Sequence, residues 1–275
     1  MEAAKYKVFV INLDSRKDRL ARITGNLNRL GVEFERIDAV YMKRDGGSPR
    51  VLEAPLKFNP AKNRMFDYNP ISTGALGCYY SHMLAWKRIA DEKLDFAVIL
   101  EDDAELGADF PEAVNLLKRL KNWDYIKIPP SGLALKISDS AALCRAPSGA
   151  EFRLAAWRKV PFLTTAECVS FQGAKKLLSV GEFYRPIDFD LQFYWRFGIT
   201  IFGLVGGDAV SMAQSRSDIS ATADPKARPN VFVKLYSPPR GAGFKKSALP
   251  PPPPPRCGLR RSVPAQMRVR AVLRG

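Results

Sequence analysis

The sequence predicts an α/β fold with a mainly parallel sheet flanked by helices. Three observations predict it. Short runs rich in Val, Ile and Phe recur along the body of the chain. They alternate with stretches whose apolar residues fall at helical spacing. Forty-six per cent apolar residues in 275 is enough for one large core.

The first run, "YKVFVINL" (6–13), reads as a strand buried on both faces. Asp14 stands where it would cap a helix. In that helix Leu20, Ile23, Leu27 and Leu30 share one face, and Gly31 marks the end. "EFERIDAV" (33–40) is a second strand. Residues 41–72 carry Gly, Pro, Asn and charges without periodicity, and read as a long loop. A helix is expected from Gly74 to Glu92, with Leu76, Tyr80, Leu84 and Ala85 on one stripe. "FAVIL" (96–100) is a third strand, and "FPEAVNLLKRL" a helix with Pro111 in its first turn. "DYIKI" is a fourth strand. After a poorly patterned region come a strand in "TTAECVSF", helices in "QGAKKLLS" and "DFDLQFYWRF", and a strand in "ITIFGL". There is no internal repeat.

The net charge of +15 resembles a nucleic-acid signal until it is located. From Lys226 to Gly275 there are twelve Lys/Arg and no Asp or Glu. The first 225 residues are close to neutral, which argues against specific nucleic-acid binding by a folded face. The same tail holds ten of the 21 prolines, six of them consecutive at 250–255. Such a segment favours polyproline II and reads as disordered. The expected division is therefore a folded domain over 1–224 and a basic, Pro-rich tail over 225–275. A basic tail can hold anionic lipid head groups, although a plain solvated appendage fits the composition as well.

No run approaches the roughly 20 apolar residues of a membrane span. The N-terminus reads as a strand and not as a signal peptide, so a cytoplasmic location is the expectation. Cys78, Cys144, Cys168 and Cys257 are scattered without a C-x-x-C pair and read as reduced thiols. With His82 the sole histidine, a zinc site has little support.

The chemistry begins at "FAVILEDDAEL", where a buried strand runs into Glu101, Asp102 and Asp103. Ligands of open α/β sheets bind outside the carboxyl ends of strands. If the strand continues, Glu101 and Asp103 point to one side and Asp102 to the other. Two oxygen ligands on one side suit Mn²⁺ or Mg²⁺. A solvated acidic cluster is the alternative. There is no P-loop, no strand followed by G-x-G-x-x-G and no G-x-S-x-G. P-loop NTPases, dinucleotide oxidoreductases and Ser-His-Asp hydrolases are thereby disfavoured.

Seven blocks in order carry a resemblance to glycosyltransferase family 25, the lipooligosaccharide galactosyltransferase type. They are "VFVINLDSRKDRL", "FERIDAV", "TGALGCYYSHMLAWKRI", "FAVILEDDAEL", "TTAECVSFQGAKKLL", "YRPIDFDL" and "SMAQSRSDIS". The resemblance spans residues 7–220 and does not reach the tail. It implies a GT-A-like, Rossmann-type fold and an inverting transfer of a hexose, usually galactose, from a UDP-sugar. A divalent metal, Mn²⁺ or Mg²⁺, is implied at Asp103 with Glu101. The implied acceptor is a lipopolysaccharide or lipooligosaccharide core glycan. Such a glycolipid acceptor places the protein at the cytoplasmic face of the inner membrane, where the basic tail would touch anionic lipid.

The same resemblance assigns residues. Asn12 and Asp14 would position uracil or ribose. Arg16 and Arg19 would add positive charge, and Asp102, Ser81 and His82 would lie near the donor. Gln214 and Ser217 would close over the diphosphate. An inverting transfer needs a base for the acceptor hydroxyl. Asp188, with Asp190 behind it, and His82 are the candidates, Asp188 being preferred. Asp188 also reads as a plain helix cap. Phe189, Phe193, Tyr194 and Trp195 line either an acceptor site or the core. A degenerate protein that binds a nucleotide sugar or glycan without turnover is the rival reading.

Overall fold

The computed structural model describes residues 4–66 and 70–212. The expectations for the tail from 225 onward, and for Gln214, Ser217 and Cys257, lie outside the described residues. The chain opens with β1 (Tyr6–Asn12), α1 (Lys17–Arg29) and β2 (Glu35–Asp38). Four short elements follow: α2 (Met42–Asp45), α3 (Pro49–Leu52), β3 (Lys57–Phe58) and α4 (Pro60–Phe66). Then come α5 (Thr73–Asp91), β4 (Phe96–Glu101), β5 (Ala104–Leu106), α6 (Phe110–Arg119) and β6 (Tyr125–Lys127). A hairpin of β7 (Lys136–Arg145) and β8 (Glu151–Lys159) leads to β9 (Ala166–Ser170) and α7 (Phe171–Leu178). The described part closes with β10 (Glu182–Phe183), α8 (Ile187–Asp190), a 3-10 helix (Leu191–Phe197), β11 (Ile201–Val205) and β12 (Val210–Met212).

Eight strands form one sheet in the order β2-β1-β4-β9-β6-β11-β8-β7. The α/β class holds, but the sheet is mixed and not mainly parallel. β1 pairs parallel with β2 and β4, and β6 with β11. The other four pairings, β4 with β9, β6 with β9, β11 with β8 and β7 with β8, are antiparallel. Two features cause this. β9 is inserted between β4 and β6 and runs against both, and the poorly patterned region builds an antiparallel hairpin at one edge.

The strand periodicity explains why the central runs are apolar throughout. Val8, Val10, Val98 and Leu100 join a core under α1 and α6, with Ile23, Leu27, Phe110 and Leu117. Their alternates Phe9, Ile11, Ala97 and Ile99 join a second core under α5 and α7, with Tyr79, Met83, Trp86 and Leu177. Both faces of the sheet are covered, so a two-faced apolar strand is required.

Helix ends follow local chemistry. Ser72 accepts a hydrogen bond from Ala75 N and starts α5. Asp14 does not cap α1. Arg16 holds that position without a side-chain bond, and Asp14 is exposed. Gly31 follows α1 at φ 65°, the left-handed stop expected of it. Gly77 brings α5 against β2's outlet, where a Cβ would lie 2.4 Å from Val40 O. The expected 188–197 helix is a turn of α-helix plus a 3-10 helix kinked at Phe193. Among the described residues no helix is long and apolar enough to cross a membrane.

Candidate active site

Strand direction brings the polar residues together. β1, β4 and β6 end at one edge of the sheet, and β9, which opposes them, starts there. Glu167 of β9 sits opposite Ile99 of β4 and Lys127 of β6. By the period of two, Glu101, Lys127, Tyr125 and Glu167 all share the α5 face of the sheet. α5 brings Cys78 and His82 to the same face.

Here a buried network forms. His82 Nδ1 lies 2.8 Å from Glu167 Oε1, and His82 Nε2 3.1 Å from Glu101 Oε1. Thr164 Oγ1 donates to Glu101 Oε1 at 2.5 Å, and Tyr125 O–H donates to Glu167 Oε2. Burial opposes a charge on His82. The Glu167 charge and the hydrogen bonds with Cys78 and to the Glu101 and Glu167 carboxylates outweigh it and hold the imidazole well above its usual pKa. Burial likewise pushes Glu101 up, yet His82 and Thr164 bring its carboxyl below the usual value. Cys78, by burial and the nearby Glu101 charge, is pushed up to about 11.

Beside this network opens a cleft of about 150 Å³, lined by residues of β1, the 39–43 segment, α5 and the acidic turn. β4 ends at Glu101, and Asp102 and Asp103 form a turn before β5. The strand alternation therefore stops, and all three carboxylates line the cleft, Asp102 included. Asp102 accepts from Asn12 Nδ2 at 2.7 Å and from Arg19 Nη1 at 3.2 Å. Burial still raises its carboxyl above the usual value. Among the described residues Asp103 has no such partners, and its Oδ1 is buried without a hydrogen bond. Burial and the Glu101 and Asp102 charges lift its carboxyl to about 6.

The other expected residues fall into two groups. Arg19, Ser81 and His82 line the cleft. Asn12, Asp14 and Arg16 do not. Asn12 is buried and orders the turn, bonding Asp102, Arg16 O and Arg36 Nε. Asp14 lies 3.7 Å from Arg36, and Arg16 pairs with Asp18 at 2.9 Å. Ser81 Oγ donates to Gly77 O and accepts from Val40 N, clamping α5 to the cleft wall.

Asp188 is half-buried at the start of α8, and its carboxylate accepts from Phe189 N at 2.9 Å. Burial raises its pKa, against the charge of Lys127. Asp190 lies deeper, held by Tyr79 O–H at 3.1 Å and by Arg196. Phe189 and Trp195 are exposed, whereas Tyr194 packs against the core.

Among the described residues two places offer candidate metal ligands. The oxygens of Glu101, Asp102 and Asp103 suit a hard cation, and the partnerless buried Asp103 oxygen among like charges is the observation that fits one. Cys78, His82 and Glu101 also hold ligand atoms within 4.8 Å of one another. There, both imidazole nitrogens already face carboxylates, and the thiol is protonated at neutral pH. The acidic turn, whose three carboxylates are not drawn into one such group, offers the oxygen ligand type that Mn²⁺ or Mg²⁺ prefers.

Sequence reasoning missed Glu167, Lys127, Tyr125, Thr164 and Cys78 as members of the site. The signal was present in two of them: a lone charge inside an otherwise apolar strand, "AECVS" and "YIK".

The family described as "Glycosyltransferase family 25 (LPS biosynthesis protein)" matches residues 5–189. Procollagen galactosyltransferase 1-B of Xenopus laevis is 34% identical over 125 residues, 44% of this chain and 20% of that protein. Procollagen galactosyltransferase 2 of Homo sapiens is 26% identical over 191 residues, 67% of this chain and 29% of that protein. A glycosyltransferase 25 family member of Drosophila melanogaster is 28% identical over 184 residues, 66% of this chain and 28% of that protein. The chain thus spans less than a third of these relatives' length. On the extent of the family match, the chain belongs to glycosyltransferase family 25.

Proposed function

We propose that the protein transfers galactose from UDP-galactose to an acceptor hydroxyl, with inversion and with a divalent cation. The observation that carries this reading is the acidic turn in the cleft, with Asp103 Oδ1 buried and partnerless. Asp103, with Glu101 and Asp102 on the same wall, would hold Mn²⁺ or Mg²⁺. Such an ion supplies positive charge against the diphosphate as the glycosidic bond breaks. Arg19 steadies Asp102 and adds a fixed cation to the wall. Ser81 keeps α5 closed against it.

Asp188 takes the proton of the acceptor hydroxyl. Its raised pKa brings a carboxylate closer to neutral, which suits a general base. Asp190 fixes α8 behind it. His82 is the weaker candidate, since carboxylates occupy both its nitrogens and it holds its proton. Galactose as the donor sugar draws on the relatives' names.

The acceptor reading is a lipopolysaccharide core glycan, in line with the family's description. The relatives' names favour a second, a procollagen hydroxyl. The test is UDP release from a panel of UDP-sugars with Mn²⁺, with core oligosaccharides and a procollagen peptide as acceptors. Acceptor-dependent release favouring UDP-galactose is expected. UDP binding without release on either acceptor would favour the degenerate binding protein instead. The cytoplasmic location and lipid contact through the tail belong to the same proposal. If deleting 226–275 leaves binding to anionic vesicles unchanged, the lipid contact is wrong.

A further inference from the structure

Lys127 has no task in the chemistry above, yet it ends a strand that is buried throughout and is itself 2% exposed. A lysine is seldom taken so far from water without a reason. The β6–β9 register sets it directly opposite Glu167, on the face that carries Glu101. Its Nζ donates to Pro161 O at 2.8 Å. Among the described residues it makes no direct ion pair, and two of its three N–H groups remain for the site.

Pro161 belongs to a strap, residues 160–163, that passes from β8 toward α8. Gln192 Nε2 donates to Val160 O at 2.7 Å and reaches Asp188 O at 3.4 Å. On the same strap Phe162 packs against Phe189, with ring centroids 4.9 Å apart. Beyond it, Leu163 adopts φ 73°, a conformation that a branched side chain rarely takes, and Thr164 binds Glu101. The strap therefore joins Lys127 at one end to the neighbours of Asp188 at the other.

We propose that Lys127 is a positioning residue for Asp188: through Pro161 O it anchors the strap that holds Asp188 through Gln192 and Phe189, and its charge favours the ionised form of that carboxylate. The kinetic arm of this inference rests on Asp188 being the base. The charged and titratable groups around the pair are Glu101 of β4, Tyr125 of β6, Glu167 of β9, Cys78 and His82 of α5, and Asp190 on α8. Asp190 is already matched by Arg196 and Arg185, so among the described residues Lys127 is the cation left to act on Asp188. Burial lowers Lys127 to about 8, with Glu167, Asp188 and Glu101 holding its proton on, so it is still charged at neutral pH.

The test compares the full 275-residue chain with Lys127→Met. The Asp188 carboxyl is titrated by ¹³C NMR, with Asp188→Asn to assign its signal. In Lys127→Met the midpoint is expected to rise by about one unit, as for a carboxylate losing a nearby opposite charge. The acid limb of kcat should move with it. A folded Lys127→Met protein with an unmoved midpoint overturns the proposal. Retained activity in Asp188→Asn overturns the base assignment instead, while the NMR arm still decides on Lys127. If Lys127→Met does not fold, Gln192→Leu carries the test. Cutting the strap from Asp188 should lower kcat about tenfold at unchanged donor KM, as expected for a misplaced reacting group. An unchanged kcat overturns the proposal.

Discussion

Helix α5 carries two charge clusters, one at each end, and they behave in opposite ways. At its C-terminal end Arg88 and Glu92 meet Lys7 and Glu35 in a ring of direct pairs, with Lys7 2.5 Å from Glu35 and 2.7 Å from Glu92. Each charge there has an opposite partner and contact with water. Glu35 and Glu92 are held below the usual carboxylate range, first by the hydrogen bonds from Lys7. At its N-terminal half Cys78 and His82 face Glu101, Glu167, Asp103, Asp188 and Lys127. There burial moves Asp103 and Asp188 up and Lys127 down. The first cluster is complete in itself. The second retains carboxylates that are not matched among the described residues, and unmatched buried charge marks a place for a ligand.

That comparison is broken most directly at Asp188. Asp188→Asn is expected to lower kcat by about 10²–10⁴-fold, the range for loss of a general base, with UDP binding preserved. Steady-state kinetics beside a UDP titration would read it. A fall in UDP affinity instead would move Asp188 into donor binding.

Next is the buried network. Glu167→Ala leaves His82 and Lys127 without the carboxylate between them. Breaking a buried pair in this way costs about 3–5 kcal/mol, to be read by urea unfolding. Glu35→Gln in the exposed ring removes one pair among several, and should cost less than about 1 kcal/mol. Equal losses at the two sites would erase the distinction drawn between them.

The smallest effect is pH dependence in the exposed ring. Because Glu35 and Glu92 are depressed in the folded state, their contribution is present above the unfolded value of 4.5. It is lost as the pH falls through their lower folded values. A melting temperature that declines below pH 4.5, by less in about 1 M salt where exposed pairs are screened, is the expected result. A melting temperature that instead rises as the pH falls through about 6 would place the sensitivity at Asp103, whose carboxyl is raised in the folded state.

Much of this was legible in the residues. β1 and β4 are apolar on both faces because helices cover both, so their strands stood out. α5, the stop at Gly31 and the acidic cluster after β4 were equally plain. Strand direction was not, since an apolar run such as "AECVS" is the same read either way. That direction brings Glu167 and Lys127 to the site, so their roles were hidden with it. Residues 41–66 lack periodicity because tertiary contacts hold them: Arg50 and Arg44 on Asp38 and Asp45, and β3 on β10. The β7–β8 hairpin was missed because β7 is largely exposed and carries register shifts that blur alternation. Asn12 was expected at the donor but supports Asp102 from behind, a distinction that only the turn's hydrogen bonds make.

The central claim is that the acidic turn is a cation-dependent donor site. Calorimetric titration of UDP into the full chain, with Mn²⁺ and then with EDTA, for the wild type and Asp103→Ala, tests it most directly. Binding that needs Mn²⁺ and is lost in Asp103→Ala is the predicted result. Equal UDP affinity in EDTA, or in Asp103→Ala with Mn²⁺, would contradict it.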